Sequence, residues 1–215
     1  MRRSLNEIAV LAFLFAGSAA GAQAQGTSFG VRIGLNRANV SSTQFGQGVE
    51  SRSGFVGGVF LAFEQAGRMT FQPELLYSQK GFASLVRGGT AKVNLNYVEV
   101  PLLFKVRLGA KNRRLRPALI VGTFVAFEVG CSLSGQLEGI GGGSDCETLL
   151  ADRGEMDAGL IVGAGLDYGL IDRFFLTADL RYSYGLLNLD WENTLDRVAT
   201  RTWGLMVGAG VLLGR

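Results

Sequence analysis

The sequence contains no histidine, only 3 prolines and 2 cysteines, and no apolar run long enough to form a membrane-spanning helix, which needs about 20 residues. Without histidine, Ser-His-Asp and Cys-His catalysis and histidine-ligated metal sites are excluded. The balance of 21 basic against 18 acidic side chains, with no basic stripe, argues against nucleic-acid binding. We therefore expect no enzyme, and no cofactor, metal or nucleic-acid site.

The first 24 residues have the three parts of a secretory signal peptide. Arg2-Arg3 is a basic start, Ile8–Ala16 is a short apolar core, and Ala22-Gln23-Ala24 is typical of a cleavage site. We predict a signal peptide over residues 1–24, cleaved on export, and a single mature domain over residues 25–215. The 32 glycines, together with 10% aromatic residues and little proline, indicate a folded domain rather than disorder.

After the predicted signal peptide, almost every apolar stretch alternates apolar residues with small or polar ones. In Met156–Tyr168, for example, Leu160 and Val162 fall on one face, and Asp157 and Gly163 fall on the other. Because side chains of a strand alternate between its two faces, such a segment has one apolar and one polar face. A soluble barrel or sandwich turns the apolar face inward, whereas a transmembrane barrel turns it outward to lipid.

The alternation predicts eight strands, each long enough to cross a membrane as a tilted strand of about 9–11 residues. They are Ser28–Asn36, Gly54–Phe63, Met69–Lys80, Val93–Val106, Leu115–Val129, Met156–Tyr168, Phe174–Gly185 and Thr200–Leu213. Short connections at Glu64–Arg68, Arg107–Arg114 and Gly169–Arg173 alternate with long ones at Arg37–Ser53, Gly81–Lys92, Gly130–Glu155 and Leu187–Ala199. Short periplasmic turns and long outer loops are typical of outer-membrane barrels. We predict an all-β, eight-stranded antiparallel up-and-down transmembrane β-barrel in the bacterial outer membrane.

The strand faces predict two sets of residues with distinct roles. Charged side chains of both signs point into the lumen, where burial requires that they pair, so we predict a closed structural ion-pair network. Its members are Arg32, Glu74, Lys80, Glu99, Lys105, Asp167, Asp179 and Arg181. An ion or proton path is the alternative role of this set. Outward aromatic side chains near strand ends predict a girdle at the membrane surfaces. Its members are Tyr77, Tyr168, Phe174, Tyr182, Tyr184 and Trp203.

The two cysteines, Cys131 and Cys146, both fall in the longest predicted loop. In an oxidising compartment we expect them to form a disulfide, which restrains a loop of this size by about 3 kcal/mol. Two thiols without histidine are too few for a metal site. The acidic residues of the same loop match no calcium-loop spacing, which favours a solvated loop.

Two segments resemble the PorT-like outer-membrane β-barrel proteins, often called porin family proteins. Phe71–Gly81 (FQPELLYSQKG) resembles the family segment QPELLYSQKG, and Asn96–Lys105 (NYVEVPLLFK) is similar to NYLEIPLLLK. Gly163–Tyr168 and Arg181–Leu186 also resemble later strands of the family. The resemblance implies a small barrel of the Gram-negative envelope, which contacts outer-membrane lipids and the barrel assembly machinery. One type of member is linked to protein secretion.

Three functions remain open from the sequence. We favour a non-enzymatic barrel that displays its extracellular loops for envelope structure, adhesion or binding of an extracellular or envelope protein. The second is transport, either through a narrow pore or as a secretion accessory. The third is a soluble, lipocalin-like ligand binder, which would need its larger apolar side chains inside. The inward set here is rich in glycine, serine and charge, which opposes this third function.

Overall fold

A computed structural model describes most of the chain from residue 26 onward. The described residues are 26–41, 49–65, 68–86, 89–109, 114–135, 156–186 and 199–214. Within these ranges no helix is long and apolar enough to cross a membrane. The predicted signal peptide, residues 1–24, lies outside them and stays a prediction.

The described chain forms eight antiparallel strands. They are β1 (Gly26–Ser41), β2 (Val49–Glu64), β3 (Met69–Val86), β4 (Gly89–Arg107), β5 (Leu115–Gly135), β6 (Met156–Ile171), β7 (Phe174–Gly185) and β8 (Ala199–Gly214). Each strand pairs with the next in sequence, and β8 pairs with β1, so the sheet closes into a barrel. This confirms the predicted up-and-down topology.

Six of the eight strands extend further at the long-loop end than the sequence predicts; β6 and β7 end there as predicted. The largest difference concerns Gly81–Lys92, which we predicted to be a long loop. Instead, β3 continues to Val86, β4 begins at Gly89, and these two residues pair with each other. The connection therefore contains only residues 87 and 88. The prediction was wrong because the alternation between apolar and polar residues stops near Lys80, although backbone pairing continues to Val86.

The register fixes the dimensions of the barrel. One row of paired residues runs Thr27, Phe63, Phe71, Phe104, Val121, Val162, Tyr182, Trp203 and Arg37. The row starts on β1 at Thr27 and returns to β1 at Arg37, so the shear number is ten. With a rise of ~3.3 Å per residue and strands ~4.8 Å apart, this shear tilts the strands by ~40°. Eight strands at that tilt enclose an interior that side chains just fill.

The two faces of the wall have opposite chemistry. Outward side chains are apolar and exposed; Leu35 and Leu205, for instance, are 62% and 59% exposed. Inward side chains include buried polar and charged groups such as Ser78, Gln72 and Thr202. A wall of this kind is stable where the surroundings are apolar, since lipid then covers the exposed apolar side chains.

Candidate functional site

The interior charges are the first candidate for a functional site. All eight predicted lumen residues lie on the inward face. Seven are buried, and Asp167 is half-buried. Alternation of the strands places them there, because each occupies a position an even number of residues from other inward side chains of its strand.

Four of these residues form a compact group at the middle of the barrel, here called the waist cluster: Arg32, Glu74, Asp179 and Arg181. Both arginines contact both carboxylates. Arg181 binds Glu74 through two N–H groups at 2.7 and 2.9 Å, and it binds Asp179 at 2.7 Å. Arg32 donates to Asp179 at 2.7 Å, and its Nη1 lies 3.1 Å from Glu74. Bidentate, charge-assisted pairs of this kind fix geometry as well as charge.

Neighbouring side chains surround the waist cluster. Lys105 lies 3.2 Å from Asp179 and 4.0 Å from the half-buried Asp167. Gln72 donates a hydrogen bond to Glu74. The guanidinium of Arg32 lies 4.7 Å from the centre of the Phe60 ring, so an aromatic face covers part of that charge.

Lys80 and Glu99 form a separate pair nearer the long-loop end, 2.7 Å apart. The Lys80 ammonium also lies about 5 Å from the rings of Tyr97 and Phe124. On β3, the buried Leu76 lies between Glu74 and Lys80 and packs in an apolar cluster with other strands. Among the described contacts, the predicted lumen charges thus fall into two groups rather than one closed network.

One ion pair was missed from the sequence. Glu64 and Arg107 contact each other at 3.0 Å at the short-turn end of the interior. Glu64 fell in a predicted turn, and Arg107 lay one residue beyond the predicted end of its strand. The alternation does place Arg107 on the inward face, after Leu103 and Lys105. Predicting this pair would have required the exact end of the strand.

Glycines make room for the waist cluster. A Cβ on Gly208 would lie 3.0 Å from Cβ of Arg32, and one on Gly165 would lie 2.6 Å from Oδ1 of Asp179. A side chain at either position would displace a charged group from its partners. The inward glycines are therefore part of the packing of the cluster.

We expect Gly163→Leu to lower the free energy of unfolding by ~1–3 kcal/mol, the usual cost of overpacking. A Cβ at Gly163 would lie 2.5 Å from the Leu180 carbonyl oxygen and 3.1 Å from Cα of Arg181. Urea titration of the barrel in detergent measures the change. The matched control is Ala164→Leu on the adjacent outward position, for which we expect a change within ~0.5 kcal/mol. Equal effects of the two substitutions would contradict the assigned packing.

The waist cluster and its apolar neighbours fill the middle of the barrel. Phe60, Leu103 and Ile120 are each at most 2% exposed. A cavity of about 70 Å³ lies at the short-turn end, and one of about 20 Å³ lies on the long-loop side. The smaller has room for about one water molecule. In the described part of the chain no group of three or more acidic or cysteine side chains is arranged to hold a metal ion.

The predicted girdle residues occupy the outward face in two bands. Tyr168 and Phe174 lie near the short turns. Tyr77, Tyr182, Tyr184 and Trp203 lie toward the long loops, where the rings of Tyr182 and Trp203 contact at 4.9 Å between centroids. From Phe174 to Tyr182 is eight residues along β7, which is ~20 Å along the barrel axis at this tilt. That spacing is close to the ~25 Å height of an outer-membrane apolar band.

The cysteine prediction needs one correction. Cys131 lies in β5, which continues to Gly135, rather than in the loop where we placed it. Cys146 falls outside the described residues. The predicted disulfide between them therefore stays a prediction.

Comparison with known proteins agrees with this architecture. The model of the outer membrane protein beta-barrel domain matches residues 22–190. The outer membrane protein OprG from Pseudomonas aeruginosa is similar in structure, with a TM-score of 0.57 at 13% sequence identity, covering 88% of this chain and 97% of that one. Neisserial surface protein A has a TM-score of 0.50 at 19% identity, covering 87% and 99%. At these identities the likeness shows the fold. No curated protein sequence matches the chain.

Proposed function

Because this chain belongs to the outer membrane protein β-barrel domain family and lies in the bacterial outer membrane, we propose that it is a non-enzymatic barrel that displays its long loops. The loops serve envelope structure, adhesion or the binding of an extracellular or envelope protein. Lipid covers the wall, and the barrel assembly machinery inserts it. On the motifs at Phe71–Gly81 and Asn96–Lys105, we further propose that it is a PorT-like member.

The filled waist carries this proposal. Arg32, Glu74 and Arg181 are each at most 4% exposed and bind one another across the middle of the lumen. Opening a path there requires buried ion pairs to separate in a low-dielectric interior, which is costly. A lumen filled in this way favours a function of the loops over transport through the barrel.

The arrangement of the connections supports display as the role. The strands alternate in direction, so residues 42–48, 136–155 and 187–198 all connect strands at the end opposite the short turns. Loops on a rigid scaffold often carry binding function. Two observations support a non-enzymatic role. The sequence contains no histidine, and the waist carboxylates are paired with arginine instead of facing a substrate cleft.

Two readouts test the proposed function. In planar bilayers, we expect the purified barrel to give no discrete conductance steps above the bare membrane. In cells lacking the protein, we expect the full chain to restore detergent resistance or surface adhesion. A variant with residues 188–197 replaced by a short Gly-Ser linker should insert but fail to restore either.

The transport alternative makes the opposite prediction. Steady conductance steps whose ion selectivity changes in Glu99→Gln would indicate a pore through the lumen. Full restoration by the linker variant would show that this loop does not carry the role. Insertion of each variant is checked by faster gel migration of unheated than of boiled protein.

A further inference from the structure

The three short turns share a structural feature. Each ends with an exposed arginine followed directly by a large, exposed apolar residue that begins the next strand. The pairs are Arg68-Met69 before β3, Arg114-Leu115 before β5 and Arg173-Phe174 before β7. The apolar members are 47%, 48% and 56% exposed. We call Arg68, Arg114 and Arg173 the arginine ring.

The backbone holds the three arginines in equivalent positions. The carbonyl oxygen of each accepts a hydrogen bond from the N–H of a residue on a neighbouring strand. The donors are Arg107 for Arg68, Gly169 for Arg114 and Leu212 for Arg173, each at 2.8 Å. The turn backbone is thus fixed, and the three exposed arginine side chains lie at the short-turn edge of the apolar wall.

The charge around the ring favours an anionic partner. None of the three arginines forms an ion pair with another described residue. The sequence adds Lys111 and Arg113 to the turn between β4 and β5, which contains no acidic residue from Arg107 to Arg116. Asp172 lies beside Arg173 in its turn, and Glu64, which precedes the first short turn, is paired with Arg107. The short-turn end is therefore basic, and it adjoins the lipid-facing wall without a break.

We propose that the arginine ring binds phosphate groups of anionic phospholipids in the periplasmic leaflet of the outer membrane. The short turns of such barrels lie on the periplasmic side. Met69, Leu115 and Phe174 contact the acyl chains, and the preceding arginine lies at the depth of the headgroups. A guanidinium presents paired N–H donors that match two phosphate oxygens. The site extends the lipid-facing wall and is independent of what the outer loops bind.

Spin-labelled lipids test this assignment in the full barrel. The measurement is the association constant for phosphatidylglycerol relative to phosphatidylcholine with the same acyl chains, in reconstituted vesicles at low salt. We expect the wild-type barrel to prefer phosphatidylglycerol by several-fold. Each ring arginine should contribute up to roughly fivefold near an anionic surface. Arg68→Gln, Arg114→Gln and Arg173→Gln combined should bring the ratio close to one.

Two further variants separate a specific site from general charge. Arg37 and Arg201 are exposed and lie near the long-loop end of the wall. Arg37→Gln with Arg201→Gln should leave the ratio unchanged if the site is at the short turns. Replacing the three ring arginines by lysine should keep only part of the preference, because the charge remains but the paired N–H donors of the guanidinium are lost.

Three outcomes would overturn the proposal. The first is an unchanged ratio in the triple glutamine variant, with insertion confirmed by gel. The second is an equal loss in the Arg37 and Arg201 control. The third is a wild-type ratio of one together with ring-dependent binding of purified peptidoglycan fragments, which would assign the ring to a periplasmic polymer instead.

Discussion

We expect Glu74→Gln to lower the free energy of unfolding by about 3–5 kcal/mol, as removal of one partner from a buried ion pair does. Glu74 accepts two hydrogen bonds from Arg181 and lies 3.1 Å from Nη1 of Arg32. Its side chain has no exposed surface. Glutamine keeps the size of the side chain but leaves the positive charge of the cluster without one of its two central carboxylates.

A double variant tests whether the cost comes from lost charge balance. Glu74→Gln with Arg181→Met removes one charge of each sign from the waist, leaving Arg32 and Lys105 on Asp179. We expect this variant to recover a large part of the stability lost in the single variant, since a buried pair removed as a whole costs little. Urea titration in the same detergent measures both.

The matched control lies at the short-turn end. Glu64→Gln breaks the pair with Arg107, whose side chains are 24% and 10% exposed, respectively. Because this pair is partly exposed at the end of the barrel, we expect a smaller loss than at the waist, of about 1–2 kcal/mol. If Glu74→Gln costs no more than Glu64→Gln, the waist cluster does not stabilise the barrel as the geometry indicates.

The fold could be predicted well from the sequence because the membrane imposes a strict alternation. Where lipid contacts the wall, every second side chain must be apolar, and four predicted strands begin at the observed residues, including Leu115 and Phe174. At the long-loop end that requirement ends. There β5 continues to Gly135 instead of Val129, because backbone hydrogen bonds alone extend the strand.

The interior could be predicted only in part. Alternation indicates which charges face the lumen, but not which of them meet. Arg32 and Asp179 are 147 positions apart in sequence, and their contact depends on the closure and register of the whole barrel. The separation of Lys80 and Glu99 from the waist likewise depends on apolar side chains of several strands, such as Val56 and Met206, which no local pattern brings together.

The outward face of β7 carries an apolar side chain at the middle of the wall. Leu180 lies at the middle of β7, faces outward and is 49% exposed. Its partners in the ladder are Ala164 and Leu205 on the same face. We expect Leu180→Arg to lower the free energy of unfolding in lipid vesicles by about 2–4 kcal/mol, because the charge must enter the middle of the bilayer.

The control is the same substitution on the same strand, at the edge of the membrane instead of its middle. Phe174 lies at the short-turn edge of the wall and is 56% exposed, so an arginine there reaches the headgroups, where the electrostatic cost falls to about 0–1 kcal/mol. We therefore expect Phe174→Arg to cost clearly less than Leu180→Arg, even though it removes a larger apolar side chain. In water both positions would accept arginine without such a difference. Equal costs in vesicles would mean that Leu180 does not face the middle of the bilayer, and the outward assignment of β7 would then be wrong.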